Sequence, residues 1–205
     1  MGKTLLAFIV KALIGAYPRW SAPPEVALEY TPQRVYFANH SSHLDTVALW
    51  ASLPPVLRNQ TRPVAALDYW SKGVVRRYIA HKILNVVLID RNRSTDADPL
   101  EPVHHALNDG HSLIIFPEGT RNDDAQMLDF KSGLYYLAKK HPNVELVPVY
   151  LDNARRSLPK GSFVPVPLTC LVRFGPSIRV EDNEDKQQFL NRARSAVLAL
   201  KPESV

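Results

Sequence analysis

Short apolar runs alternate with helix-like segments along most of the chain. The runs are rich in branched residues, which is typical of strands buried on both faces. They cover residues 34–38, 63–67, 84–89, 112–116, 144–151 and 169–174, with residues 178–180 as a shorter candidate. Segments with helical spacing cover residues 3–16, 43–53, 71–83, 99–108, 131–140 and 181–200. This alternation predicts an α/β fold: a single layered domain with a mixed, largely parallel sheet flanked by helices.

The N-terminal segment has an amphipathic pattern of its own. As a helix it places Lys3 and Lys11 opposite an apolar face, which consists of Leu5, Ile9, Ala12, Leu13 and Ala16. Such a helix suits a membrane interface, and it equally suits packing on the protein's own core. Three prolines follow by residue 24 and predict a loop. We therefore divide the chain into residues 1–24, an amphipathic helix and proline-rich loop, and residues 25–205, the main domain.

Composition narrows the range of partners. The chain has 205 residues, is 45% hydrophobic and 22% charged, and carries a formal net charge of +5. The positive charge favours anionic partners such as phospholipid headgroups, nucleic acid or phosphorylated cofactors. We find no zinc-finger pattern and no aromatic RNA-binding motif, so nucleic acid is not expected. The single cysteine, Cys170, lies in an apolar run and predicts a buried strand residue, without a disulfide or a thiolate zinc cluster.

His40 and Asp45 stand five residues apart, where an apolar run gives way to a helix. A carboxylate at the start of the helix can reach back to the imidazole and fix its tautomer, so that the other ring nitrogen can take a proton from a hydroxyl. The alternative is a capping box, with Ser42 as N-cap and Asp45 as the third helical residue. Both roles can coexist. His40 and His43 also form an H-x-x-H pair, but further metal ligands are not evident, so no metal is predicted.

Two further strand ends carry arginine. The run at residues 112–116 ends in the turn Pro117-Glu118-Gly119, and Arg121 follows two residues later. A guanidinium at this position could bind phosphate through two hydrogen bonds, and Glu118 could hold that guanidinium or accept a substrate hydroxyl. The run at residues 84–89 likewise leads to Arg91, which predicts either a second phosphate contact or a surface ion pair. Ligands usually bind at such strand ends in α/β sheets.

These segments together resemble the glycerophosphate acyltransferase superfamily, and within it the lysophosphatidic acid acyltransferase family. His40 and Asp45 match its H-x4-D block, residues 116–121 match its F-P-E-G-T-R block, and residues 85–91 and 146–149 look like its second and fourth blocks. The resemblance covers about residues 30–155. Asn85 stands where the second block often has glycine, and asparagine tolerates the same left-handed backbone conformation.

The resemblance implies a glycerol-3-phosphate acyltransferase-like fold, with residues 25–205 as the acyltransferase domain, and a transfer reaction. His40, oriented by Asp45, would remove the proton from the free hydroxyl of lysophosphatidic acid. The alkoxide would then attack the thioester of acyl-CoA or acyl carrier protein and give phosphatidic acid, with no cofactor. The residues implied to hold the acceptor's glycerol phosphate are Arg91, Glu118, Gly119, Thr120 and Arg121.

The resemblance also implies partners and a location. These are a lysophospholipid acceptor, acyl-CoA or acyl carrier protein as donor, and a membrane surface. Because acyl thioesters are made in the cytoplasm, we expect a peripheral protein on the inner face of a bacterial cell membrane. Both substrates carry long chains, so an apolar slot is expected near His40. The candidates to line it or to enter the membrane, each of which could also be an ordinary core residue, are Trp50, Tyr69, Trp70, Val74 and Val75.

Three alternatives remain open from the sequence. The same chemistry could act on another lysophospholipid or on a lyso-ornithine lipid. His40 could activate water instead of an alcohol, although no G-x-S-x-G element is present. The positive charge also fits a lipid-binding module without catalysis.

Overall fold

A computed structural model describes residues 2–21, 32–42, 44–67, 78–90, 98–122, 126–152 and 170–202. The strands are β1 (Ala16–Trp20), β2 (Arg34–Ala38), β3 (Thr61–Ala66), β4 (Val87–Ile89), β5 (Ser112–Ile115), β6 (Glu145–Leu151) and β7 (Cys170–Phe174). The helices are α1 (Gly2–Ile14), α2 (Asp45–Ser52), α3 (Pro55–Gln60), α4 (Glu101–Asn108), α5 (Gly133–Lys140) and α6 (Lys186–Leu198), and Ile79–Leu84 forms a π-helix.

The strands form one sheet in the order β1-β7-β6-β2-β5-β3-β4. Strands β6, β2, β5, β3 and β4 are parallel to one another. Strand β7 pairs antiparallel with β6, and β1 pairs parallel with β7. The predicted α/β domain with a mixed, largely parallel sheet is therefore confirmed. The parallel centre brings the carboxyl ends of five strands to one edge of the sheet.

Two apolar layers cover the two faces of the sheet. Successive strand residues point to opposite faces, so Tyr36 packs into one layer while Val35 and Phe37 pack into the other. The first layer contains residues from α1, α2 and α3, and the second contains residues from α4, α5 and α6. Strand β2 is buried along its whole length because both faces and both edges are covered. The first residues beyond its carboxyl end are thereby held in a rigid frame.

The structure differs from the predicted elements at three places, which are Pro18, Pro55 and the start of β4. Pro18 was assigned to a loop, but it lies in β1, where an edge strand tolerates its missing N–H. Pro55 starts α3, a helix that the sequence pattern did not predict, since the first helical turn needs no donor from that position. The strand predicted from residue 84 begins at Val87, because a π-helix ends at Leu84 and Asn85 adopts φ 51°. Asparagine thus does occupy the left-handed conformation expected at this position.

Helices α2, α4, α5 and α6 begin two to five residues later than predicted. The last one starts after Asp185, whose carboxylate accepts the Gln188 N–H while the Gln188 side chain accepts the Asp185 N–H. This capping box fixes the start of α6, and the acidic residues before it lie outside the helix. Ile178 forms a single antiparallel bridge to Leu146 rather than a strand. Among the helices in the described ranges, none has the length and apolar character needed to cross a bilayer.

Candidate active site

The site lies at the carboxyl ends of β2 and β5. These two strands are parallel neighbours, so their last residues meet at the same edge of the sheet. Strand β2 ends at Ala38 and is followed by His40, whereas β5 ends at Ile115 and is followed by Phe116 and Glu118. The fold thus brings together the first and third sequence blocks, which are separated by 78 residues at the His40–Glu118 contact.

His40 and Asp45 form the central pair. His40 Nδ1 lies 2.9 Å from Asp45 Oδ2. The Asp45 side chain is fully buried, while 18% of the His40 side chain is exposed. Because a carboxylate only accepts hydrogen bonds, the proton of the neutral imidazole is assigned to Nδ1, and Nε2 keeps its lone pair. The pair therefore has the arrangement that general-base chemistry requires.

The local backbone holds the Asp45 carboxylate in place. Oδ2 also accepts the N–H groups of Ser41 at 2.6 Å and Ser42 at 2.8 Å. Asp45 is the first residue of α2, where the helix dipole favours a negative charge. Its other oxygen, Oδ1, is buried, and no described residue forms a hydrogen bond with it. One oxygen thus carries the whole network, and the tight turn between β2 and α2 aims it at His40.

The predicted capping box does not form as expected. The N-cap of α2 is Leu44, and no side chain caps it. Ser42 Oγ accepts the N–H of Leu44 at 3.2 Å, rather than that of Asp45. The reciprocal half is present, since Asp45 accepts the Ser42 N–H. The structural and orienting roles of Asp45 therefore coexist, although they use a single carboxylate oxygen.

Glu118 supports His40 through the backbone. Its Oε1 accepts the His40 N–H at 2.7 Å, and its Oε2 accepts the Leu128 N–H at 2.9 Å. The residue is only 2% exposed. Burial raises the pKa of the Glu118 carboxyl, and the two backbone hydrogen bonds oppose that shift. In this position, both oxygens of Glu118 hold the loops that surround the imidazole.

Three further contacts around His40 were not assigned from the sequence. The Phe116 ring stacks on the imidazole, with ring centres 4.2 Å apart and planes 19° apart. The Asn122 N–H donates to His40 O at 2.8 Å. Asn39 clamps the end of β6, because its side chain donates to Leu151 O and accepts the Leu151 N–H. Phe116 lies within the F-P-E-G-T-R block, and that membership was the available signal; Asn39 and Asn122 lie just outside the quoted blocks.

The turn after β5 presents the rest of the third block. Gly119 has φ +73°, and a Cβ there would lie 2.8 Å from Lys131 Cε. The positive φ favours glycine, and the flexible Lys131 side chain packed against it would have to shift to admit a Cβ. Thr120 and Arg121 follow as exposed residues at the rim of the site. Lys131, which sequence reasoning did not single out, also donates its N–H to Pro117 O at 2.8 Å.

The second block is described only in part. Asp90 directly follows β4 at the same edge of the sheet and is exposed. Arg91 lies outside the described residues. Strands β5 and β3 separate β4 from β2. Three strand spacings correspond to about 14 Å, so the second block borders the site at a distance from the imidazole.

Cys170 and Trp50, two further residues considered from the sequence, are buried residues of the core. Cys170 is buried, and burial together with the charges of Asp45 and Asp152 raises the pKa of its thiol to about 12, which excludes a thiolate nucleophile at neutral pH. Trp50 is fully buried and belongs to the core. The other slot candidates, at residues 69, 70, 74 and 75, lie outside the described residues, as does His43. Within the described ranges no group of three or more metal-ligating side chains converges.

Comparison with known proteins identifies the family. A family model described as Acyltransferase matches residues 25–152. The chain belongs to this acyltransferase family. The matched region includes both halves of the site, from His40 to Arg121, as well as the end of β6.

Relatives of this acyltransferase agree with the match. It is 28% identical over 180 residues to a 1-acyl-sn-glycerol-3-phosphate acyltransferase of Limnanthes alba, with 83% of the chain and 60% of the relative covered. It is also 28% identical over 180 residues to the human 1-acyl-sn-glycerol-3-phosphate acyltransferase alpha, with 85% and 61% covered. The chain thus spans about three fifths of the length of these relatives.

A solved structure shares the fold. The crystal structure of the 1-acyl-sn-glycerophosphate (LPA) acyltransferase PlsC from Thermotoga maritima matches with a TM-score of 0.71 at 19% identity. The match covers 96% of this acyltransferase and 78% of that chain. This likeness supports the layered α/β architecture.

Proposed function

We propose that this acyltransferase moves a fatty acyl chain from a thioester donor to the free hydroxyl of lysophosphatidic acid and so forms phosphatidic acid. The observation that carries the proposal is the His40–Asp45 pair at 2.9 Å, in a partly exposed imidazole whose Nε2 has no hydrogen-bond partner among the described residues. The names of the curated relatives, all 1-acyl-sn-glycerol-3-phosphate acyltransferases among those compared above, support the choice of acceptor.

The chemistry follows from this pair. His40 Nε2 removes the proton from the acceptor hydroxyl as its oxygen attacks the carbonyl carbon of the thioester, and a C–O bond forms. The resulting imidazolium is stabilised by the Asp45 carboxylate. When the tetrahedral intermediate collapses, the C–S bond breaks and the leaving thiolate takes the proton back from the imidazolium. A positioned base of this kind contributes about 10²–10⁴-fold to the rate.

Acceptor binding is assigned to the rim beside the imidazole. Arg121 and Thr120 are exposed on the turn after β5, next to the strand that bears His40. A guanidinium there suits the phosphate of the acceptor, because its planar donors match two phosphate oxygens. We assign Arg91 as a second phosphate contact by its place in the second block. Gly119 allows the turn, and Glu118 anchors it to the His40 backbone.

We further propose that the protein works at a membrane surface, on the inner face of a bacterial cell membrane, with acyl-CoA or acyl carrier protein as donor. Helix α1 packs its Ala7 and Val10 side into the core. Its outer side exposes Leu5, Phe8 and Ile9 by 61%, 70% and 41%. These residues recur at helical spacing, so they form one apolar stripe directed away from the protein, as an interfacial helix requires.

A product assay with purified protein tests the acyl-transfer proposal. Lysophosphatidic acid, other lysophospholipids and a lyso-ornithine lipid are each offered with acyl-CoA and with acyl carrier protein, and His40→Ala serves as the blank. We expect phosphatidic acid as the main product. Release of free fatty acid without diacyl product would show a hydrolase, and faster turnover of another acceptor would overturn the choice of lysophosphatidic acid.

A further inference from the structure

A second cluster of positive charge lies away from the active site, between helices α1 and α3. Arg58 on α3 is only 5% exposed. Lys11 on α1 is partly buried, and the neighbouring charge of Arg58 contributes, after burial, to lowering the pKa of Lys11. Lys3 on α1 reaches the same helix, with its Nζ 3.5 Å from Asn59 O. Three cations therefore converge on one pair of helices.

The Arg58 guanidinium is poorly compensated. Among the described residues its side chain has one hydrogen-bond partner, Ala51 O at 3.3 Å from Nη1, and the buried Nε has none. The guanidinium lies 5.3 Å from the centre of the Trp50 ring, and the buried Nε1 of that ring likewise has no hydrogen-bond partner within the described ranges. None of the ion pairs among the described residues involves Arg58, Lys11 or Lys3. Burial lowers the pKa of Arg58, with no carboxylate opposing the shift.

A buried cation with so few partners is uncommon in a stable core, because desolvation of the charge is costly unless an anion or hydrogen bonds replace the lost water. A bound phosphate group would supply what is missing here. Its oxygens could accept from the arginine fork and would reduce the repulsion between Arg58 and Lys11.

The same two helices point to the source of that phosphate. Val56 on α3 is 50% exposed, and the apolar stripe of α1, which consists of Leu5, Phe8 and Ile9, is exposed as well. The helices that carry these cations therefore also expose apolar side chains, a combination that suits the headgroup and the chains of an anionic phospholipid, whereas a free phosphate has no use for apolar contacts.

We propose that Arg58, with Lys11 beside it, forms a binding site for the headgroup phosphate of an anionic membrane phospholipid. The site is separate from the acceptor site, since it involves α1 and α3 rather than the carboxyl ends of β2 and β5. It deepens the membrane attachment proposed above and rests on it. The site gives the attached protein a preference for anionic lipid that diffuse surface charge alone would not give.

Vesicle flotation without substrates tests the site. The vesicles consist of phosphatidylcholine alone or of phosphatidylcholine mixed with phosphatidylglycerol. Arg58→Met removes the charge, and Arg58→Lys keeps the charge but removes the planar fork. Lys139→Met removes one charge from α5, on the other face of the sheet. We expect both Arg58 variants to lose affinity for the anionic vesicles by about tenfold, Lys139→Met to lose at most about twofold, and binding to neutral vesicles to stay unchanged.

Thermal unfolding separates a binding role from a structural one. Replacing an uncompensated buried cation by an apolar side chain of similar length should leave the melting temperature unchanged or raise it. Anionic vesicles should stabilise the wild type but not Arg58→Met. If the variant does not fold, Lys11→Met takes its place in both measurements, with the same expected loss of anionic preference.

Three results would overturn the site: Arg58→Lys binding anionic vesicles as the wild type does, equal losses in Arg58→Met and Lys139→Met, or inorganic phosphate stabilising the protein as strongly as the vesicles do. Acyl transfer to a short-chain, water-soluble acceptor is measured in parallel. Arg58→Met should retain it, so a failure of the proposed reaction and a failure of the lipid site give different results.

Discussion

Two histidines of this protein each make a ring hydrogen bond of 2.9 Å, yet their surroundings differ. His40 bonds through Nδ1 to Asp45, and no residue in the described part of the chain bonds its other nitrogen, at the edge of the sheet. His104 bonds through Nδ1 to His141 Nε2, while its own Nε2 lies 3.4 Å from Asp98. Both nitrogens of His104 are therefore occupied, and the residue is 5% exposed. A histidine can act as a base only where one nitrogen remains available at a site that substrate can reach.

Replacing the carboxylate partner of each histidine should have the largest contrast in effect on kcat. Asp45→Asn removes the charge that stabilises the imidazolium, so we expect kcat to fall by about 10²–10⁴-fold. Asp98→Asn changes the matching partner of His104, and Asp98 is half exposed. The rate of that variant should stay within about twofold of the wild type. Acyl-transfer kinetics on both proteins, with unfolding curves to establish that each is folded, measures the contrast; similar rates in the two variants would remove it.

Two glycines with positive φ allow the active-site turn to be compared with a turn away from the site. Gly119 in the active-site turn and Gly110 after α4 both have positive φ, of +73° and +81°. A Cβ at Gly110 meets nothing within 4 Å, whereas at Gly119 it would lie 2.8 Å from Lys131 Cε. Alanine at either position should cost about 1–3 kcal/mol for the backbone strain. Only Gly119→Ala should also raise the acceptor KM, because that turn carries Arg121.

Urea unfolding and acceptor kinetics measure both glycine variants. Adding Lys131→Ala to Gly119→Ala should recover the part of the stability loss that comes from the contact with the lysine stem. No recovery in the double variant would mean that the lysine yields without cost.

The smallest expected effect is a pH dependence of stability from the His104 pair. Burial lowers the pKa of His104 and of His141 below the ordinary value of 6.5, and the neighbouring Lys140 adds to both shifts. The unfolded chain then binds more protons than the folded protein just below pH 6.5. The contribution of the pair to the free energy of unfolding is complete above that pH and is lost as the pH falls below it towards the lowered pKa values.

Urea titrations over this pH range measure the effect. Replacing both His104 and His141 by Gln should flatten the dependence. His105→Gln, at a position where the side chain is 72% exposed, should leave it as in the wild type. An unchanged slope in the double variant would assign the pH dependence to other groups.

The elements that the sequence predicted best are those whose signal is local. Residues 34–38 were predicted with the same bounds as β2, because a strand buried on both faces is a continuous apolar run. Strand β1 was missed, since three of its five residues are exposed and its partner, β7, is far away in the chain. An edge strand of this kind has no apolar pattern to reveal it.

The contacts of the site also differ in whether a local sequence pattern predicts them. The His40–Asp45 contact spans five residues, so the spacing alone predicted it. The hydrogen bond from the His40 N–H to Glu118 spans 78 residues, and the bond between Asn39 and Leu151 spans 112. Contacts of that length depend on strand order and register, which a single sequence does not encode in any local pattern. The uncompensated state of Arg58 is likewise visible only when the surrounding chain is folded.

The most direct test of the central claim compares His40→Ala with His104→Ala in the product assay, at a temperature and pH where unfolding curves show both to be folded. We predict that His40→Ala loses acyl transfer by about 10²–10⁴-fold, while His104→Ala, whose histidine has both ring nitrogens engaged away from the site, retains the rate of the wild type. Substantial turnover by folded His40→Ala, or an equal loss in both variants, would contradict the assignment of His40 as the base.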